Sequence, residues 1–151
     1  MDDEWALNAL KDWNDKGQSV CRERWAMIER LDHFVLTVRS KEATCEFYQR
    51  VLRFRRVDTV GRPTALIFGR QKINVHQVNR TFEPKAALPT PGAGDFCFVT
   101  QWQIEVVQAH LQACDVAIEL GPVERDGAEG KMTSVYFRDP DDNLVEVSRY
   151  N

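Results

Sequence analysis

The chain has 151 residues, with 20 Lys and Arg against 23 Asp and Glu, for a formal net charge of -3. An apolar fraction of 43% and a charged fraction of 28% are those of a globular protein, and the length fits one domain or two small modules sharing a core. Mixed charge excludes a basic nucleic-acid face, and no apolar run approaches the roughly 18 residues of a membrane span. The acidic start Met1-Asp2-Asp3-Glu4 lacks the apolar core of a signal peptide, so a cytoplasmic protein with neither nucleic-acid nor membrane partners is expected.

Residues 1–29 stand apart, with many charges. Ala6, Leu10 and Trp13, and again Cys21, Trp25 and Ile28, fall at helical spacing around Asp15-Lys16-Gly17. This predicts an N-terminal helical appendage. Residues 30–151 read as the main domain. Within it, residues 31–38 are strand-like, Ser40 reads as a helix N-cap, and Ala43, Phe47 and Val51 mark one helical face. Strand-like runs follow at 55–60, 64–68 and 72–78. Residues 79–94 carry Pro84, Pro89 and Pro91 and read as an irregular connector, because proline blocks both ladder and helix.

The second part repeats this plan. Residues 95–100 are strand-like, and Ile104, Val107, Leu111 and Cys114 mark a helical face that leaves His110 as a surface residue. A short strand at 116–119 precedes a Gly-rich loop, 121–130, with the character of a lid. Residues 131–137 and 144–149 close as a hairpin-like pair. The order strand, helix, three strands thus occurs twice, in modules 30–78 and 95–150. This predicts an α+β fold in which two βαβββ modules form one curved, mixed or mostly antiparallel eight-stranded sheet, a cup with helices outside. The four cysteines, Cys21, Cys45, Cys97 and Cys114, form no CxxC pair and read as reduced thiols.

Glu146 lies between Val145 and Val147 on an otherwise core-like strand. A carboxylate is rarely buried without a partner. Superposing the modules by their first strands sets His33 opposite Asp95, each at the start of an apolar strand. Superposing the last strands sets Glu146 against a position within Ile73-Asn74-Val75-His76, with either Asn74 or His76 in register. Residues two apart on a strand share a face. The concave face is therefore expected to hold His33, Asp95, Glu146 and His76 as ligands of a divalent metal. An imidazole-carboxylate set suits Zn, Ni, Co, Mn or Fe.

The runs Leu31-Asp32-His33-Phe34-Val35-Leu36-Thr37-Val38, Phe47-Tyr48-Gln49-Arg50-Val51-Leu52, Phe68-Gly69-Arg70-Gln71-Lys72-Ile73-Asn74-Val75-His76 and Phe137-Arg138-Asp139-Pro140-Asp141-Asp142-Asn143-Leu144-Val145-Glu146-Val147, in this order, resemble the vicinal oxygen chelate superfamily. This is the superfamily of glyoxalases, bleomycin-resistance proteins and extradiol dioxygenases. Within it the chain is most similar to glyoxalase domain-containing protein 5-like proteins. The resemblance covers residues 28–150. It implies a metal in the cup, chelated by adjacent substrate oxygens, with His33, Asp95 and Glu146 at the first, third and last ligand positions and the second on or beside Asn74 to His76. It also implies lactoylglutathione-lyase-like or isomerase-like chemistry, with Glu146 as catalytic base. The implied substrate is a small molecule, anionic or a thiol conjugate, and the implied assembly is a homodimer in which halves of two chains can share one cup. Two alternatives stand beside it. One is a non-catalytic small-molecule or drug-binding protein. The other is an Fe(II) extradiol-type dioxygenase using His33, His76 and Glu146. In the turn, Asp142 stands where this family has Gly, at a position that needs a left-handed backbone.

Overall fold

The computed structural model of the protein describes residues 27–151. The expected N-terminal helices lie almost wholly outside the described residues. Residues Leu31–Asn151 form one compact unit. Among the described residues no helix is long and apolar enough to cross a membrane.

The first module runs β1 (His33–Val38), α1 (Lys41–Leu52), β2 (Arg55–Val57), β3 (Thr64–Phe68) and β4 (Gln71–Gln77). The second runs β5 (Asp95–Val99), α2 (Ile104–Ala113), β6 (Leu120–Gly127), β7 (Gly130–Arg138) and β8 (Leu144–Tyr150). The eight strands divide into two four-stranded sheets, ordered β1-β4-β3-β2 and β5-β8-β7-β6, where the sequence suggested one continuous sheet. Each sheet is mixed, because the strand that precedes the helix lies parallel to the last strand of its module. The remaining pairs are antiparallel.

Ser40 caps α1 as expected, its Oγ accepting from the Ala43 amide at 3.3 Å. One face of α1 buries Phe47, Tyr48 and Val51, and one face of α2 buries Ile104, Val107 and Leu111. These join Leu36, Val38, Leu66, Ile73, Val135, Phe137, Val145 and Val147 in a single core shared by both modules. His110 is half-buried rather than a free surface residue. Its Nε2 lies 2.9 Å from the Val51 carbonyl and ties α2 to the end of α1.

The Gly-rich stretch 121–130 is not a lid loop. Most of it is β6, paired antiparallel with β7 through a register shift between Leu120 and Val123. Its composition is poor for a strand, but pairing with a buried neighbour outweighs local propensity. Pro122 sits at the irregularity, where no ladder donor is lost. Gly121 is required there. Its φ is +118°, and a Cβ would stand 2.6 Å from the Ser134 carbonyl oxygen.

The β7–β8 turn is held from inside. Buried Asp139 accepts from the Asp141 amide at 2.8 Å, the Asn143 amide at 3.0 Å, Asn143 Nδ2 at 2.8 Å and the Tyr48 hydroxyl of α1 at 3.0 Å. Asp142 takes the left-handed conformation (φ 68°) expected of the residue replacing glycine. Buried Asp141 accepts from the Arg39 backbone amide and from Nη1, at 3.1 Å each. One turn thus fastens the end of β1, the face of α1 and the start of β8.

Candidate functional site

Alternation along the strands gives each sheet a helix-covered face and an open face. Phe34, Leu36, Val38, Ile73 and Val75 join the core, which leaves His33, Val35 and Thr37 of β1 and Lys72, Asn74 and His76 of β4 on the open face of the first sheet. In the second sheet Phe96, Phe98, Val145 and Val147 take the core side, leaving Asp95, Cys97 and Val99 of β5 and Leu144, Glu146 and Ser148 of β8 open.

The register decides between Asn74 and His76. His33 pairs with Lys72 and Val35 with Asn74, as Asp95 pairs with Leu144 and Cys97 with Glu146. His33 and Asp95 are therefore equivalent, and Asn74, not His76, is the counterpart of Glu146. His76 pairs with Thr37, four residues beyond His33 along β1, which puts it about 13 Å from His33 at about 3.3 Å per residue. His33 and His76 of one chain cannot bind the same ion.

Asp95 and Glu146 lie diagonally on neighbouring strands of one open face. Glu146 is half-buried and accepts from Ser148 Oγ at 3.0 Å. Ser148 Oγ also contacts Cys97 Sγ at 3.1 Å and Ser134 Oγ at 2.7 Å. Burial pushes the Cys97 thiol up, so it stays protonated beside the carboxylate. Tyr136, the other cross-strand neighbour of Glu146, accepts from Arg125 Nε at 3.0 Å; burial raises its phenol. Ser148 and Tyr136 escaped the sequence reading, although Ser148 was findable two residues after Glu146 on the same face. His33 is exposed, with Nδ1 2.9 Å from Asp32 Oδ1.

A cavity of about 490 Å³ runs beside the edge strands β1 and β5, with residues 85–90 of the connector along one wall. Three of the expected ligands line it: His33, His76 and Asp95. Glu146 does not. His76 is only 3% exposed, its ring centroid lies 5.4 Å from that of Phe82, and its Nδ1 has no hydrogen-bond partner. Burial lowers its basicity, and the Lys85 charge lowers it further, so the ring is neutral near pH 7.

The expected divalent ion can be tested against this donor set. Among the described residues no three His, Cys, Asp or Glu side chains come together to hold one. His33 and Asp95 line the cavity together, while Glu146 shares the open face of Asp95 and lies outside the cavity.

The family model of the Glyoxalase/Bleomycin resistance protein/Dioxygenase superfamily matches residues 30–147. The chain belongs to this superfamily. It is similar to virulence protein STM3117 of Salmonella typhimurium, at 49% identity over 124 residues, covering 82% of this chain and 86% of that protein. The crystal structure of that superfamily relative superposes with a TM-score of 0.81, covering 83% of this chain and all of the other. Similarity extends to glyoxalase domain-containing protein RDO1 of Mycosarcoma maydis, at 44% identity over 133 residues, covering 85% of this chain and 73% of that one. The two four-stranded mixed sheets agree with the α+β fold of this superfamily.

Proposed function

We propose that the protein is a divalent-metal-dependent enzyme of glyoxalase-like lyase or isomerase type, acting on a small substrate that presents adjacent oxygens. The observation that carries this reading is the placement of the donors, with Asp95 and Glu146 on one open face and His33 at the equivalent position of the other. In a homodimer, the first sheet of one copy would face the second sheet of its partner, bringing His33 of one chain to Asp95 and Glu146 of the other. Val35 and Val99, 44% and 54% exposed, lie on these same open faces and would be covered.

A Zn, Ni, Co, Mn or Fe ion held there would polarise a substrate oxygen as a Lewis acid. The chain's own residues do the rest. Ser148 fixes one oxygen of Glu146, leaving the other to bind or to take a proton. The neutral Cys97 thiol and Tyr136 phenol beside it add no competing charge. Free thiols at Cys45, Cys97 and Cys114 fit a reducing cytoplasm. A second reading, non-catalytic binding of a small molecule, is favoured by one feature: the cavity is formed within a single chain and needs no ion.

Mixing variants tests the first reading. His33→Ala and Glu146→Ala should each abolish metal uptake. A refolded equimolar mixture should recover about one quarter of the wild-type sites, because half of the dimers pair unlike chains and each such dimer restores one of its two sites. Wild-type protein that holds less than a tenth of an equivalent of these metals, or a mixture that recovers none, overturns it.

A further inference from the structure

The far end of the cavity holds polar groups that the metal reading does not use. Thr37 and His76 sit side by side on paired strands and both line the cavity. Both are more than nine-tenths buried, at 7% and 3% exposed. His76 is packed against Phe82, and its Nδ1 has no partner. Neither side chain makes a hydrogen bond to any other described residue. Lys85 lines the same end, close enough for its charge to act on His76, and among the described residues its ammonium is paired only with the exposed Glu83. This end therefore offers a buried hydroxyl and a buried imidazole, with the exposed ammonium of Lys85 beside them.

Apolar side chains line the cavity as well. The half-buried rings of Phe34 and Phe96 lie 5.2 Å apart and both line it. The near end carries His33 and Asp95, about 13 Å from Thr37 along β1. Lys72, paired with His33, also lines that end and offsets the Asp95 carboxylate, so the acid group is placed by the unpartnered buried donors of the opposite one.

We infer that Thr37, His76 and Lys85 form a carboxylate-binding subsite, and that the ligand is an elongated organic acid whose apolar body lies along Phe34 and Phe96. A carboxylate has enough lone pairs to accept from all three groups at once. The inference rests on the small-molecule reading of the cavity and not on the metal.

The test is calorimetric titration of the full chain, in EDTA, with 4-phenylbutyrate and with its uncharged counterpart 4-phenylbutyramide. The acid should bind about tenfold or more tightly than the amide. Lys85→Ala and Thr37→Val should each weaken the acid by about fivefold or more and leave the amide unchanged. Both substitutions are mild, one in a connector and one nearly isosteric, and circular dichroism checks that each variant is folded. Equal affinity for acid and amide, or acid binding indifferent to both substitutions, overturns the subsite. Lysine-dependent acid binding by a protein that takes up no metal overturns the metal reading alone.

Discussion

Replacing Asp139 with alanine removes the one acceptor that organises the β7–β8 turn. The carboxylate accepts four hydrogen bonds, from the Tyr48 hydroxyl, two backbone amides and Asn143 Nδ2, at 2.8 to 3.0 Å. Tyr48, Asp139, Asp141 and Asn143 are all buried, so water reaches the orphaned donors only if the turn opens. Each buried donor left unpaired costs about 1–3 kcal/mol. Opening of the turn relieves part of this, which sets the expected loss at about 4 kcal/mol, a large share of the 5–15 kcal/mol of a typical domain. Tyr48→Phe removes one donor and leaves the carboxylate with three, so it should cost about 1 kcal/mol. In the double variant the Tyr48 penalty is already lost, and the two effects should fall short of adding by about 1 kcal/mol. Urea unfolding followed by circular dichroism, with an unchanged m-value, reads these differences. The effect should reach the site as well. Asn143 Oδ1 accepts from the Gly94 amide at 2.7 Å, immediately before Asp95, and β8 carries Glu146. An Asp139→Ala loss below about 1 kcal/mol would show that water or local repacking satisfies the donors, and would refute the reasoning.

His76 should make stability depend on pH. Burial, reinforced by Lys85, depresses its folded basicity below the usual value of about 6.5. The unfolded chain therefore takes up the proton first as pH falls. The stability that the neutral ring permits is complete above about pH 6.5 and declines below it, towards the folded value. Unfolding at pH 7.5, 6.5 and 5.5 should show a shallower decline for His76→Gln, and equal slopes would contradict the assignment. Val35→Asp or Val99→Asp places a charge in the proposed dimer face. Light scattering after size exclusion should give a monomer mass at micromolar concentration, and an unaltered dimer mass would place the interface elsewhere. Gly121→Ala combines an unfavourable φ with a 2.6 Å approach to the Ser134 carbonyl, and should cost about 2 kcal/mol or more in thermal or urea unfolding. A neutral result would mean that β6 shifts freely against β7.

Much of this protein is written in local pattern. Period-two alternation marks Val145 and Val147 as core and Glu146 as facing away, and helical spacing finds the buried faces of both helices. The repeat by itself makes His33 and Asp95 equivalent, and the turn chemistry of Asp142 is legible in the same way. These features depend on neighbours a few residues apart. Register does not. Alternation says which face a side chain takes but not which residue lies beside it, so only the parallel pairing of β1 with β4 places Asn74 opposite Val35 and moves His76 to the far end of the cavity. The same holds for residues 121–127, whose glycine and proline argue for a loop until the ladder of β7 makes a strand of them. Tertiary packing also divides the eight strands into two sheets, each with its own open face. Local chemistry determined which residues can act; long-range pairing decided which of them can act together.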